Sequence, residues 1–319
     1  MRVLVTGATG FIGQQLCASL ADAGYRVRAA LRTDRSLPAA IAEKAVTGEI
    51  GSATSWGTAL TDVDVVVHVA AHAHVLHESA ADAERYMETN VRGTARLAVA
   101  AARYGVRRFV LLSSVKVNGE GTAQHAYSVH DEPHPADAYG RSKWLAEQRL
   151  WETVSNVPMQ AAVVRAPLVY GPGVRANFLR LLHWVDRGRV LPLGAVENRR
   201  SLVSAWTLCD LLIRLLDHPA AVNRTWMVSD GEDISTPELV RRIARAMGRR
   251  ARLLSVPAPL LRLVGGMSGK GAEMRRLCSS LTVDIAATRK MLGWSPAISM
   301  DDALVRTVAW YQSYAHLSP

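Results

Sequence analysis

Residues 3–13 read Val-Leu-Val-Thr-Gly-Ala-Thr-Gly-Phe-Ile-Gly. An apolar strand over Arg2 to Val5 runs here into Gly7-x-x-Gly10-x-x-Gly13, and the last of these glycines lies inside a helix expected from Ile12 to Ala23. A second strand, Tyr25 to Leu31, comes next and completes the βαβ context that gives such a motif meaning. Gly7 serves the tight turn, Gly10 lets a diphosphate approach the backbone, and Gly13 lets the helix pack close to the sheet. The helix N-terminus turns free N–H groups and the positive end of its dipole toward the phosphates. The stretch therefore reads as a dinucleotide-binding turn, against the plainer reading of a glycine-punctuated turn that holds nothing.

Beyond this turn, apolar strands alternate with helical segments over two-thirds of the chain. Further strands are expected near Ala45 to Val46, and at Val63 to Val69, Arg108 to Ser113, Ala161 to Val169 and Thr225 to Val228. Helices are expected at Ala81 to Tyr104, Tyr139 to Ser155, Phe178 to Arg187 and Thr207 to Leu216. Strand, helix, strand in repeated order predicts an α/β fold, a Rossmann-like doubly wound parallel sheet. The remainder has another texture: Thr236-Pro-Glu-Leu opens a helix with a cap and an N1 proline, and the chain beyond it is punctuated by Pro257, Pro259, Gly265, Gly266, Gly269 and Gly271. Residues 1–172 plus 199–229 are thus expected to form the dinucleotide-binding domain. Residues 173–198 plus 230–319 are expected to form a smaller, discontinuous substrate lobe over the C-terminal edge of the sheet.

Composition narrows the class. A chain of 319 residues can bury a substantial core. Cys17, Cys209 and Cys278 are few and far apart, which argues against a disulfide framework or a cysteine metal site and points to a reducing, cytoplasmic compartment. There is no apolar run long enough to span a bilayer and no charged-then-apolar leader before the first strand, so neither a membrane nor a secretory route is expected. The net charge of +10 is carried almost wholly by arginine, scattered in pairs such as Arg107-Arg108 and Arg249-Arg250 without interleaved aromatics. That pattern is expected from solvated helix surfaces rather than a nucleic-acid stripe, and it suits small phosphorylated ligands.

Tyr139-Gly-Arg-Ser-Lys143 places a phenol and an ammonium at i and i+4, on one face of a helix. Ser114 ends a strand at the sheet edge where ligands bind in such folds. A phenol with a pKa of about 10 is a poor acid-base group at neutral pH, but an adjacent ammonium and a cationic nicotinamide both favour the phenolate. Tyr139 then becomes a usable proton donor or acceptor, with Ser114 bonded to the reacting oxygen and Lys143 also placed to hold a ribose. By itself Tyr-x-x-x-Lys is a common helix start, and the combination gives it weight.

Together these features resemble the extended short-chain dehydrogenase/reductases, the NAD-dependent epimerase/dehydratase family. The resemblance runs through Gly7, Gly10 and Gly13; Val67-His-Val-Ala-Ala71; Asn90-Val-Arg-Gly-Thr94; Ser113-Ser114; Tyr139-Gly-Arg-Ser-Lys143; Arg165-Ala-Pro-Leu-Val-Tyr-Gly-Pro172; and Arg200-Ser-Leu-Val. It implies Ser114, Tyr139 and Lys143 as catalytic residues and Asn90 as a structural or proton-relay position. Cofactor contacts are implied at Gly7, Gly10, Phe11, Ile12, Gly13, Arg32, Glu49, Ile50, Val69, Ala70, Ala71, Asn90, Tyr139, Lys143 and Pro167. Substrate contacts are implied at Ser114, Asn177, Arg200 and Arg276, with Arg275 beside it. A homodimer through the helices near 82–104 and 139–155 is also implied by the resemblance alone. No metal is expected.

Departures from the family pattern refine the reading. The 4,6-dehydratases carry Thr-Asp-Glu where this chain has Ser114, Val115 and Lys116, and neither valine nor lysine replaces that acid pair. Ketone/alcohol interconversion is left. The second strand ends in Leu31 and Arg32 rather than an acid that would bond the adenosine ribose, which favours NADP(H) while leaving NAD(H) open. Leu-Ser-Ser-Val-Lys-Val-Asn-Gly-Glu (112–120) and Val-Ser-Asp-Gly-Glu-Asp-Ile-Ser-Thr-Pro-Glu-Leu (228–239) resemble a subgroup that makes bacterial O-antigen sugars. The expectation is reduction of the 4-keto group of a UDP-2-acetamido-2,6-dideoxy-hexos-4-ulose. A UDP-glucose or UDP-N-acetylglucosamine 4-epimerase with tightly held NAD is the alternative, and a non-catalytic dinucleotide-binding protein is a third reading.

Other conspicuous residues take plainer readings. His68, His72, His74 and His77 are expected to line a cofactor or substrate rather than ligate metal, and His125, His130 and His134 to be solvated loop residues. Trp144, Trp151, Trp184 and Trp206 are expected in packing. The apolar stretch Pro257 to Val264 is expected to be lobe core or a weak interfacial segment.

Overall fold

The structure, a computed structural model, describes residues 1–41, 43–72, 80–257, 259–261 and 271–315. In chain order the elements are β1 Arg2–Thr6, α1 Phe11–Asp22, β2 Arg26–Leu31, β3 Glu43–Val46, α2 Gly57–Leu60, β4 Val65–His68, α3 Ala80–Arg85, α4 Gly93–Arg103 and β5 Arg108–Ser114. Next come α5 Ala138–Val154, β6 Gln160–Ala166, β7 Leu168–Tyr170, α6 Ala176–Asp186, β8 Arg200–Ser204, α7 Ala205–Arg214, β9 Arg224–Met227 and β10 Asp233–Ile234. The last helices are α8 Thr236–Ala246, α9 Gly271–Cys278, α10 Ala286–Leu292 and α11 Met300–Ala315.

Seven strands form one parallel sheet in the order β3-β2-β1-β4-β5-β6-β9. The middle positions of its central strands are apolar without alternation because both faces are covered. Val3, Val5, Val65, Val67, Val110 and Val164 pack into one layer, while Leu4, Val66, Phe109, Leu111 and Val163 pack into the other. Alternate side chains of a strand point to opposite faces, so unbroken valine and leucine runs encode a doubly covered sheet. Strand order reverses between β1 and β4, which opens a crevice at their C-terminal ends.

Two segments differ from the sequence expectation for identifiable reasons. The single strand expected over Ala161 to Val169 is broken at Pro167, which has no N–H to give the ladder. Beyond that proline, β7 leaves the large sheet and pairs in parallel with β8, whose other edge carries β10 antiparallel. The helix expected over Ala81 to Tyr104 contains a π-helical stretch, Tyr86–Arg92, between α3 and α4. Such widened turns are common at functional sites because they re-aim a side chain.

A second core lies around the small sheet. Tyr170, Phe178, Leu182, Leu202, Ile243, Leu304 and Tyr311 belong to it. At its seam with the large sheet the Tyr170 hydroxyl donates to Asp230 at 2.7 Å, and the same carboxylate accepts the Ser204 N–H at 2.9 Å. Helix α5 is fastened beneath the large sheet by a buried ion pair. Arg165 on β6 donates to Glu147 on α5 through Nη2 at 2.7 Å and Nε at 3.1 Å, and Ser113 on β5 donates to the same carboxylate.

Both partners of that pair are almost fully buried, so removing one leaves an unpaired charge in the core. Arg165→Leu is expected to lower unfolding free energy in urea by about 3–5 kcal/mol, whereas Arg165→Met combined with Glu147→Met should lose much less. A single-variant loss below about 1 kcal/mol, the range of exposed pairs, would contradict the structural role assigned to the pair.

Candidate functional site

The glycine turn lies at the crevice. Gly7 has φ +69°, and a Cβ there would come within 2.8 Å of the backbone of Ala70, in the loop after β4. At Gly13 a Cβ would overlap the Gly7 carbonyl oxygen and stand 2.8 Å from the Ala8 Cα. Gly10 closes the turn through its N–H to the Gly7 carbonyl at 2.9 Å, and no side chain caps the helix that begins after it. Uncapped N–H groups above a cradle that tolerates no Cβ fit a dinucleotide pyrophosphate.

From this turn a chain of hydrogen bonds runs across the crevice with one allowed direction. The Ala70 N–H donates to Thr6 Oγ1 at 3.3 Å, and Thr6 Oγ1 stands 2.6 Å from His68 Nδ1. His68 Nε2 lies 3.0 Å from Thr94 Oγ1, which donates to the Asn90 carbonyl at 2.6 Å. Because the Thr94 proton is given to a carbonyl, Thr94 must accept from His68 Nε2–H, and His68 Nδ1 must accept from Thr6. The tautomer is thereby assigned by the network. Burial, helped by the charge of Lys143, holds the His68 imidazole down at about 3, so it remains neutral.

Asn90 carries the chain onward. Its carboxamide accepts the His72 N–H at 2.8 Å and donates to the His72 carbonyl at 3.1 Å and to Ser142 Oγ at 3.0 Å. Ser142 in turn donates to the Tyr139 carbonyl at 2.7 Å. The π-helical turn thus aims Asn90 between the loop after β4 and the first turn of α5.

Helix α5 begins at Ala138, one residue before the expected start, with Asp137 accepting the Gly140 N–H at 2.7 Å as its cap. Asp137 also pairs with Lys116, whose ammonium lies 3.1 Å from Glu120 as well. Lys116 is therefore committed to carboxylates, and Val115 is buried, so neither supplies an acid. The Ser114 hydroxyl hydrogen-bonds the Tyr139 phenol. Burial lifts that phenol to about 12, and the Asp137 charge adds to the rise. Lys143 is buried one turn away, and burial brings its ammonium down to about 8 against the pull of Glu147.

From the sequence, Lys143 is expected to lower the tyrosine. Desolvation prevails instead, and the phenol is held neutral, as a proton donor. Tyr86 packs edge-on to Tyr139 at 5.8 Å between ring centres. A cavity of about 380 Å³ lined by Met87, Pro135, Ala136, Asp137 and Arg141 opens beside the same helix turn.

The other expected contact residues fall in three groups. Phe11, Ile12, Val69, Ala70, Ala71 and Asn90 gather at the crevice, and Pro167 comes after β6 at the same edge of the sheet. Arg32 and Glu49 are 72% and 83% exposed and pair with each other at 3.5 Å, so the guanidinium expected to meet a 2′-phosphate already shares its charge with a carboxylate. Ile50 abuts Gly93, where a Cβ would come within 2.6 Å of its Cγ2. Arg200 donates to the Ser279 carbonyl at 3.1 Å, just past α9, the helix that holds Arg276; the Arg275 and Arg276 side chains lie outside the described residues. Asn177 is exposed in the first turn of α6.

His74 and His77 also lie outside the described residues, while His125, His130 and His134 are exposed. Sequence patterns do not single out Thr6, His68 and Thr94 for the network they form. Thr94 and His68 stand in quoted motifs, but only their burial against each other reveals the bonds.

The neutral His68 generates a pH prediction. Its unfolded value is about 6.5 and its folded value is lowered, so below pH 6.5 the unfolded chain binds a proton that the folded chain refuses until about pH 3. Stability is expected to fall as pH drops through that window, with this residue contributing a slope of up to about 1.4 kcal/mol per pH unit. In chemical denaturation at pH 7, 5.5 and 4.5, His68→Gln, which keeps a donor and an acceptor but cannot titrate, should show a shallower loss. Identical slopes in both proteins would remove His68 from the account.

Comparison with known proteins places this geometry. The pattern of the NAD dependent epimerase/dehydratase family matches residues 3–229. A UDP-glucose 4-epimerase of Vibrio cholerae is 39% identical over 309 residues, covering 96% of this chain and 94% of its own. A 3 beta-hydroxysteroid dehydrogenase/Delta 5-->4-isomerase of Mycobacterium tuberculosis is 27% identical over 339 residues, covering 98% of this chain and 90% of its own. Among solved structures, MoeE5 in complex with UDP-glucuronic acid and NAD has a TM-score of 0.80 at 26% identity, covering 98% of this chain and all of that one. With a match that spans most of its length and a relative of this similarity, the chain belongs to the NAD dependent epimerase/dehydratase family.

Proposed function

We propose that this protein binds NAD and inverts C4 of a UDP-hexose or UDP-N-acetylhexosamine. The observation that carries the reading is the near full-length similarity to a UDP-glucose 4-epimerase, joined to a Ser114–Tyr139 contact with Lys143 one turn further along α5. The solved relative that holds both a UDP-sugar and NAD supports the choice of ligands. The solved relative holds NAD, and Arg32 is exposed beside Glu49, so the lean toward NADP(H) is set aside in favour of NAD.

In this reading Gly7, Gly10, Gly13 and the N-terminus of α1 hold the pyrophosphate, and Asn90 fixes the loop beside the nicotinamide end. The bound nicotinamide supplies the capacity to accept the C4 hydride and to return it. Tyr139 removes the proton of the 4-hydroxyl and gives it back to the ketone oxygen, while Ser114 hydrogen-bonds that oxygen. Lys143 holds a ribose and, with the positive charge of the oxidised cofactor, opposes the desolvation that keeps the phenol protonated. The lobe built on β7, β8 and β10 covers the sugar nucleotide, with Arg200 and Asn177 on the diphosphate.

A second reading rests on one specific observation: β2 ends in Leu31 and Arg32 without a carboxylate to bond the adenosine ribose. A cofactor held without that contact exchanges more readily, which suits a reductase of a UDP-4-keto-6-deoxy-N-acetylhexosamine, as in O-antigen sugar synthesis. The two readings share the roles of Ser114, Tyr139 and Lys143.

Incubation of the purified protein with UDP-glucose or UDP-N-acetylglucosamine and NAD is expected to give the C4 epimer without net reduction of cofactor. Consumption of NADH or NADPH that depends on added UDP-4-keto-6-deoxy-N-acetylhexosamine, with no epimerisation, would decide for the reductase. In either case Tyr139→Phe should lower kcat by about 100-fold or more, the scale of a lost general acid-base group. Turnover at the parental rate in that variant would overturn the role assigned to Tyr139.

A further inference from the structure

The second lobe carries a basic surface that the chemistry above does not use. Arg241, Arg245, Arg249 and Arg250, with Ala251 and Leu253, line an open depression of about 570 Å³ at the C-terminal end of α8. The turn after α6 lies against it: Arg249 pairs with Asp186 at 2.9 Å, and the Leu191 N–H donates to the Arg252 carbonyl at 2.8 Å. That turn adds Arg187 and Arg189. Seven arginines thus meet two carboxylates that bond to them, Asp186 and Glu238. Among the described residues Arg187, Arg189, Arg245, Arg250 and Arg252 make no ion pair.

Aliphatic side chains are exposed in the same and adjoining segments. Val190 is 61% exposed, Leu254 56% and Leu260 49%. The parallel bridge between Leu191 and Leu253 sets Val190 opposite Arg252, with Leu254 diagonally across on the same side. Leu260 belongs to the apolar stretch Pro257 to Val264, while its neighbour Leu261 enters the lobe core. Residues 187–190 and 241–254 contain no aromatic ring. Single-stranded nucleic acid is usually held on stacking rings as well as charge, and nothing here stacks. Guanidinium groups interleaved with protruding aliphatic chains match instead a surface that is anionic at its plane and apolar just beneath it.

We propose that this face docks the protein on an anionic lipid bilayer, with Val190 and Leu254 entering the headgroup boundary and the arginines meeting lipid phosphates. The attachment is peripheral, since among the described residues no helix is long and apolar enough to cross a membrane.

The test is co-sedimentation of the full chain with phosphatidylglycerol/phosphatidylcholine vesicles and with pure phosphatidylcholine vesicles at physiological salt. Binding is expected to the first and not to the second. Each basic side chain near an anionic leaflet favours partitioning by about fivefold, so Arg245→Glu with Arg250→Glu should lower the partition coefficient by at least about tenfold. Val190→Ser with Leu254→Ser, which leaves the charge unchanged, should lower it severalfold. Arg103→Glu with Arg224→Glu, at exposed positions on the large-sheet domain, should cost much less than the Arg245/Arg250 pair.

Equal losses from both arginine pairs would mean that overall charge and not this face does the binding, and would overturn the proposal. So would full vesicle binding by the serine variant, or capture by a DNA duplex at a salt concentration where vesicles are not bound. The parental melting temperature, recorded for each variant, separates loss of binding from loss of fold.

Discussion

A single directed line of hydrogen bonds, Ala70 to Thr6 to His68 to Thr94 to Asn90, holds the crevice of this protein in shape. Every donor in it has one acceptor, so no member can rotate without leaving a buried polar group unsatisfied. The line joins the end of β1 to the end of β4 and both to the π-helical turn. Through the Asn90 carboxamide and Ser142 it continues to the backbone of Tyr139. The loop packed against Gly7 and the first turn of α5 are therefore tied together, although more than a hundred residues separate Gly7 from Tyr139.

The charges around that line restrain one another. The His68 imidazole remains neutral because it is buried beside Lys143, and Lys143 is itself weakened as a cation by the same burial. Glu147, one turn along α5, is given wholly to Arg165 and Ser113. Lys116 is given to Asp137 and Glu120, while the other carboxylate oxygen of Asp137 caps α5 and its charge opposes ionisation of Tyr139. A phenolate at this buried position beside Asp137 is the less stable form, so the Tyr139 hydroxyl keeps its proton.

The family relationship explains the large sheet and its crevice but does not choose among substrates, since relatives at comparable coverage include a sugar-nucleotide epimerase and a steroid dehydrogenase. Apart from the large sheet, a second lobe is built on β7, β8 and β10, with its own apolar core, a polar seam through Tyr170 and Asp230, and an arginine-rich outer face.

The large sheet is legible in the linear pattern, because strands buried on both faces run apolar through their middle positions without alternation and because the backbone leaves no room for a Cβ at Gly7 or Gly13. Ser114, Tyr139 and Lys143 are legible too, since their pattern is local to a strand end and a helix turn. Folding in three dimensions settled what local pattern cannot encode. Pro167 divides an apolar run into strands of two different sheets because its missing N–H ends one ladder. The π-helical turn at Tyr86–Arg92 aims Asn90 between two loops, and the pairing of Arg32 with Glu49 depends on two loops meeting across strand ends. The tautomer of His68 depends on hydroxyls from β1 and α4, and the high proton affinity of Tyr139 on burial under segments remote in sequence. These are properties of neighbours brought together by folding, and neighbours in space are what a linear pattern does not state.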